Sequence, residues 1–111
     1  MADRIMKQGD TWKPLLANMS HSDAGFDLED AVSITLRMRS RDKTVVISGP
    51  MVLEDPVTFL VSYDWDVGDT AVAGVYDAEI EVDWGLGRIE TFPNDGYREI
   101  ELVEELDNPG A

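Results

Sequence analysis

Thr70-Ala71-Val72-Ala73-Gly74-Val75-Tyr76-Asp77-Ala78-Glu79-Ile80-Glu81-Val82-Asp83-Trp84 decides the fold. It reads as a turn feeding one long β-strand. From Val75 onward the side chains alternate with period two. Tyr76, Ala78, Ile80, Val82 and Trp84 fall on one face, and Asp77, Glu79, Glu81 and Asp83 on the other. That pattern predicts a half-buried antiparallel strand whose wet face is a carboxylate ladder. Such a row resists edge-to-edge association and repels nucleic acid.

The neighbouring segments follow the same rule. Val32, Ile34, Leu36 and Met38 are expected to face the core, with Ser33, Thr35, Arg37 and Arg39 in solvent. Arg39-Ser40-Arg41-Asp42-Lys43 reads as a charged hairpin turn into a β-branched strand from Thr44 to Ser48, broken by Gly49-Pro50. Other strands are expected at Trp12–Met19, Met51–Leu53, Val57–Trp65, Arg88–Phe92 and Tyr97–Val103, with a short helical turn near Phe26–Ala31. Phe59, Val61, Tyr63 and Trp65 are in phase. Gly85-Leu86-Gly87 and Pro93-Asn94-Asp95-Gly96 supply turns. The sum is an all-β chain of about seven to eight strands with turn signals roughly every ten residues, which favours an antiparallel β-sandwich. Residues 1–8 read as an N-terminal arm, 9–103 as the sandwich domain and 104–111 as an acidic C-terminal tail.

Size and charge narrow the function. The 111 residues suffice for one core. With 23 acidic and 9 basic side chains the net charge is −14, which steers basic partners inward and argues against nucleic acid and anionic membranes as partners. The chain has no cysteine, so disulfides and thiolate metal sites are excluded. No apolar stretch approaches the roughly 20 residues that span a bilayer. The first residues lack the apolar core of a signal peptide, which predicts a product made in the cytoplasm.

Candidate chemistry is sparse. His21, in Ser20-His21-Ser22-Asp23, is the one histidine and reads as a loop residue, since a catalytic triad is assembled by the fold and not by adjacency. Asp64, Asp66 and Asp69, or Asp23, Asp27, Glu29 and Asp30, offer oxygen ligands for calcium, but neither run has the spacing of a calcium loop. No cofactor, metal ligand set or catalytic group is assigned, and the expectation is a protein that is not an enzyme. The tryptophans and other aromatics read as core. Trp65 and Trp84 lie beside turns, where exposure would make them partner anchors or sugar-stacking platforms. Arg37, Arg39, Arg41 and Lys43 form the one basic patch. With Asp77, Glu79, Glu81, Asp83, Trp65 and Trp84 they make up the candidate interface, in which the basic hairpin of one copy docks on the acidic strand of the next.

Several motifs, taken in order, carry a resemblance: Gly9-Asp10-Thr11; Asp27-Leu28 leading through Ala31 into Val32–Met38; Tyr63-Asp64-Trp65 with Gly68-Asp69-Thr70; Gly74-Val75-Tyr76 with Ala78–Val82; and Gly87-Arg88-Ile89-Glu90-Thr91-Phe92-Pro93-Asn94-Asp95-Gly96-Tyr97. Across residues 9 to 103 the chain resembles the small immunoglobulin-like domain of tailed-phage virion proteins, and is similar to the amino-terminal domain of the baseplate upper protein family. The resemblance implies an immunoglobulin-like sandwich without catalytic residues that attaches one virion part to another. Its expected partners are other virion proteins such as major capsid, neck or tail proteins, with further copies of itself as a homo-oligomer, and its expected location is the virion after synthesis in the host cytoplasm. In that family the domain precedes a long extension with receptor-binding modules. This sequence stops at Ala111, so the expectation spans head decoration, neck, tail and baseplate. The alternative is a carbohydrate-binding or adhesion module, calcium-assisted if the turn carboxylates serve as ligands.

Overall fold

The computed structural model describes residues 3–19, 27–93 and 96–104. Nine strands occur in them: β1 (Arg4–Lys7), β2 (Leu15–Asn18), β3 (Ser33–Ser40), β4 (Val46–Pro50), β5 (Val52–Asp55), β6 (Leu60–Tyr63), β7 (Gly74–Asp83), β8 (Ile89–Phe92) and β9 (Arg98–Val103), with one 3-10 turn at Leu28–Asp30. They build two sheets, a sandwich-like all-β arrangement. The six-stranded sheet runs β1-β9-β7-β3-β4, with β8 also on β7, and the three-stranded sheet runs β2-β6-β5. All pairings are antiparallel except β1 with β9.

The ten residues of β7 organise the large sheet. Along one side β7 pairs with β3 from Ser33↔Asp83 to Ser40↔Tyr76. Along the other it is shared end to end, by β9 over Gly74–Ala78 and by β8 over Ile80–Asp83. Ile80 faces Phe92, whereas Ala78, two residues back, faces Arg98, six residues on. Five residues of sequence, 93–97, separate those two pairs, and among the described residues Glu79 pairs with neither β8 nor β9.

The core lies between the sheets. Leu15, Met19, Val61 and Tyr63 come from the small sheet and its flank, and meet Leu36, Met38, Tyr76, Val82, Ile100 and Leu102 from the large one, all buried. Close packing shows at Gly49: a Cβ there would lie 2.6 Å from Cε1 of the Tyr63 ring.

The structure corrects several expectations. β7 is the centre of its sheet and not an edge, so its carboxylates do not guard a free edge. Residues 4–7 of the expected arm form β1. Val57–Phe59 is not strand: the Asp55 carboxylate accepts from the backbone N–H groups of Val57 and Thr58 at 2.9 and 3.5 Å. Phe59 then turns the chain with φ +58°, and β6 begins at Leu60. β4 continues through Gly49 and Pro50, which an edge strand tolerates. Val32, expected in the core, is exposed; it lies just before β3, where its N–H bonds to Asp83 O. Trp12, read as core, is 76 % exposed. His21, Asp23, Phe26, Asn94 and Asp95, and residues 105–111 of the expected tail, lie outside the described residues.

Candidate interaction surface

The outer face of the large sheet brings the basic and acidic candidates together within one chain. β3 and β7 place Arg37 across from Glu79 and Arg39 across from Asp77. β9 adds Glu99 on the far side of Asp77. Arg37 reaches diagonally to Glu81, Nη2 to Oε1 at 3.3 Å. Arg41, just past the end of β3, donates to Asp77 at 3.3 Å and to Glu99 at 2.5 Å. The bond to Glu99, then that to Asp77, raises the Arg41 pKa above its ordinary value. These are half-exposed, solvent-screened pairs, so they set side-chain orientation more than stability. Arg39 and Lys43 are exposed and enter no ion pair among the described residues.

The hairpin tip is locked from within. Asp42 Oδ1 accepts from Ser40 Oγ (2.6 Å), Thr44 Oγ1 (2.7 Å) and Thr44 N (3.0 Å). Those bonds, the one from Ser40 first, hold the Asp42 carboxyl at about 2, well below its ordinary 3.8.

The remaining candidates separate. Asp83 Oδ1 accepts from Gly85 N at 2.8 Å and shapes the β7–β8 hairpin. Trp84 is half-buried, and its Nε1 donates to Glu90 at 3.2 Å. Trp65 is a core residue, 6 % exposed and edge-on to Tyr63 at 5.4 Å between ring centroids, and does not belong to an exposed interface. Among the turn carboxylates weighed for calcium, Asp69 Oδ2 accepts from Tyr63 OH (2.6 Å) and from Asp66 N (2.8 Å), and Asp27 caps the 3-10 turn through Glu29 N. No group of three or more metal-ligating side chains occurs among the described residues. Burial first, then the bond to Asp69, pushes the Tyr63 hydroxyl pKa up.

A feature that periodicity did not mark lies between the sheets. A cleft of about 510 Å³ runs the length of β2, from Leu15 to Met19, and reaches Leu36, Ala78, Ile80, Phe92 and Ile100 across from it. Its charged lining residues are Asp3, Arg4, Glu79 and Arg98. The available signal was the uncharged run Leu15-Leu16-Ala17-Asn18, unusual for an edge strand.

No protein-family model, no curated protein and no solved structure matches this chain.

Proposed function

We propose that this chain is a non-enzymatic structural protein of a bacteriophage particle, one immunoglobulin-like sandwich that works by protein–protein contact in head decoration, neck, tail or baseplate. The observation that carries the reading is how the resembling motifs interlock. Gly9 N donates to Thr70 O at 2.8 Å, and the buried Thr70 donates back through Oγ1 to Asp10 O at 2.8 Å, so two motifs some sixty residues apart form one joint. Asp69 of the same motif ties Tyr63 to the turn. The motif residues hold a frame, which suits a part whose surface is its function.

Strand order supports the immunoglobulin-like assignment. β9-β7-β3-β4 follows the G-F-C-C′ order of a variable-type sheet and β2-β6-β5 follows B-E-D. Tyr76, buried near the start of β7, donates its hydroxyl to Val72 O at 2.7 Å, in the manner of the tyrosine corner at the start of strand F. Ala78 stands two residues on, where antibody domains carry a cysteine. Because fold alone does not fix function, the virion role rests on the motif resemblance.

Cryo-electron microscopy of the native particle tests it. Density for this chain at regular positions on the head, neck, tail or baseplate is the expected result, and its absence from the mature particle overturns the reading. The second reading, a carbohydrate-binding or adhesion module, draws on Trp12. Specific glycan binding that Trp12→Ala abolishes would establish it in place of the first.

A further inference from the structure

At the tip of the β7–β8 hairpin three consecutive residues have left-handed backbone: Gly85 (φ +88°), Leu86 (φ +57°) and Gly87 (φ +78°). Glycine takes that conformation readily, whereas leucine is disfavoured in it. Among the described residues two other non-glycine residues adopt it, Lys43 and Phe59. Lys43 sets a charge in water, and Phe59 packs against the core. Leu86 does neither, being 96 % exposed. Val67 is equally exposed in another turn, but on ordinary backbone. An exposed apolar residue by itself needs no explanation. One held on strained backbone is a pointer to function.

The turn is bonded from within. Gly85 N donates to Asp83 Oδ1 at 2.8 Å, Trp84 N to Arg88 O at 2.8 Å and Arg88 N to Gly85 O at 3.1 Å. The Arg88 guanidinium folds back on the same turn, from Nε to Gly85 O at 3.2 Å and from Nη2 to Trp84 O at 3.3 Å. Val32, 70 % exposed, stands beside the tip, its Cγ2 3.3 Å from where a Cβ on Gly85 would lie. The result is a convex apolar knob, Leu86, with Val32 as its shoulder. A knob encloses no small molecule, and it buries itself by filling a pocket in a partner.

The charges around the knob indicate that partner. Glu29 and Asp30 are exposed just ahead of Val32, and Asp83 stands at the foot of the turn. None of the three enters an ion pair among the described residues. Arg88 is the one basic residue of the turn, and its donors are engaged by the turn's own carbonyls. The complementary surface is therefore basic around an apolar socket. A second copy would bring another net charge of −14 to the contact, which repulsion opposes. A membrane fits less well, since two apolar side chains bury little area in it and anionic lipid repels the carboxylates.

We propose that the Gly85-Leu86-Gly87 tip is a docking knob for a different protein. Leu86 enters an apolar socket on that protein, Val32 packs at its lip, and lysine or arginine side chains around the socket face Glu29, Asp30 and Asp83. The inference rests on the reading that this domain works by protein contact, and not on which particle holds it.

The test places a photoreactive diazirine amino acid at position 86 of the full chain, produced in its native source, and maps the crosslinks by mass spectrometry. The same reporter at Val67 is the control. The expected result is a crosslink from position 86, not given by position 67, to one protein at an apolar pocket rimmed by lysine or arginine. Should the chain not fold with the reporter at 86, the reporter at Val32 takes its place. Leu86→Asn then separates docking from folding. Asparagine accepts left-handed backbone, so the variant should melt at or above the temperature of the parent. Its affinity for the purified partner should fall about tenfold or more. A lower melting temperature would mean that Leu86 serves the fold, and overturns the proposal. So does a crosslink to lipid or to a second copy, no crosslink beyond that of the control, a contact site without a socket and basic rim, or affinity that Leu86→Asn leaves intact. A socket on a protein outside any particle upholds this inference and removes the virion reading. A chain located in a particle but silent at position 86 does the reverse.

Discussion

Tyr76 shows how one side chain fastens a strand to the loop before it. Its ring is fully buried while its hydroxyl ties back to Val72 O at 2.7 Å. Tyr76→Phe keeps the ring and loses the bond, and should destabilise the fold by about 1 kcal/mol in urea unfolding. Val72 is half-exposed, so water replaces the lost donor and the cost stays at that level. Asp42 gives a pH-dependent prediction. Its folded-state carboxyl, near 2, lies below its ordinary 3.8, so the ionised form stabilises the native state. That contribution is complete above about pH 4 and disappears as the pH falls toward about 2. Asp42→Asn should therefore unfold at a lower temperature than the parent at pH 7, and the difference should close across that acid window. Melting curves over that pH range check it. Neither role follows from periodicity, which assigns a face to a residue but not a hydrogen bond.

At the scale of elements, Gly49 and Tyr63 join the two sheets. A Cβ at 49 would press against the Tyr63 ring edge at 2.6 Å, closer than ordinary contact allows. Gly49→Ala should cost about 1–3 kcal/mol of unfolding free energy by overpacking. In a double-mutant cycle with Tyr63→Ala the two effects should be strongly non-additive, because removing the ring removes the clash. The elements themselves were largely legible: β3, β7, β8 and β9 fall within a residue or so of where alternation places them. Where legibility failed, a local side chain overrode the pattern. Asp55 captured two backbone N–H groups and turned Val57–Phe59 out of the strand, and Val32, although in phase, lies just outside β3. β1 was missed because four residues, two of them basic, carry too little alternation to be read alone. Its parallel register with β9 is a tertiary fact.

The whole molecule is dominated by its charge. At −14 over 111 residues, repulsion within the compact state is a standing penalty that salt relieves. Raising the ionic strength from about 10 to about 150 mM shortens the screening length from about 30 to about 8 Å, and should raise the melting temperature. A fall would mean that the Arg37 and Arg41 pairs outweigh the net repulsion. At this scale the sequence was informative about what the surface repels and silent about which edge stands open. The acidic row, legible residue by residue, lies at the centre of a sheet, and the cleft between the sheets runs along a strand too short and too neutral to stand out.

The end-to-end arrangement of β8 and β9 on β7 bears on motion. The β8 pairing ends at Ile80 and the β9 pairing at Ala78, so the two strands are clamped separately. β9 pairs on both flanks, with β7 and with β1, whereas among the described strands β8 pairs with β7 alone. β8 can therefore detach as a local excursion while β9 stays seated. Amide exchange should divide at that break, fast in Ile89–Phe92 and slow in Arg98–Val103, giving a domain that breathes at one corner without loosening its centre.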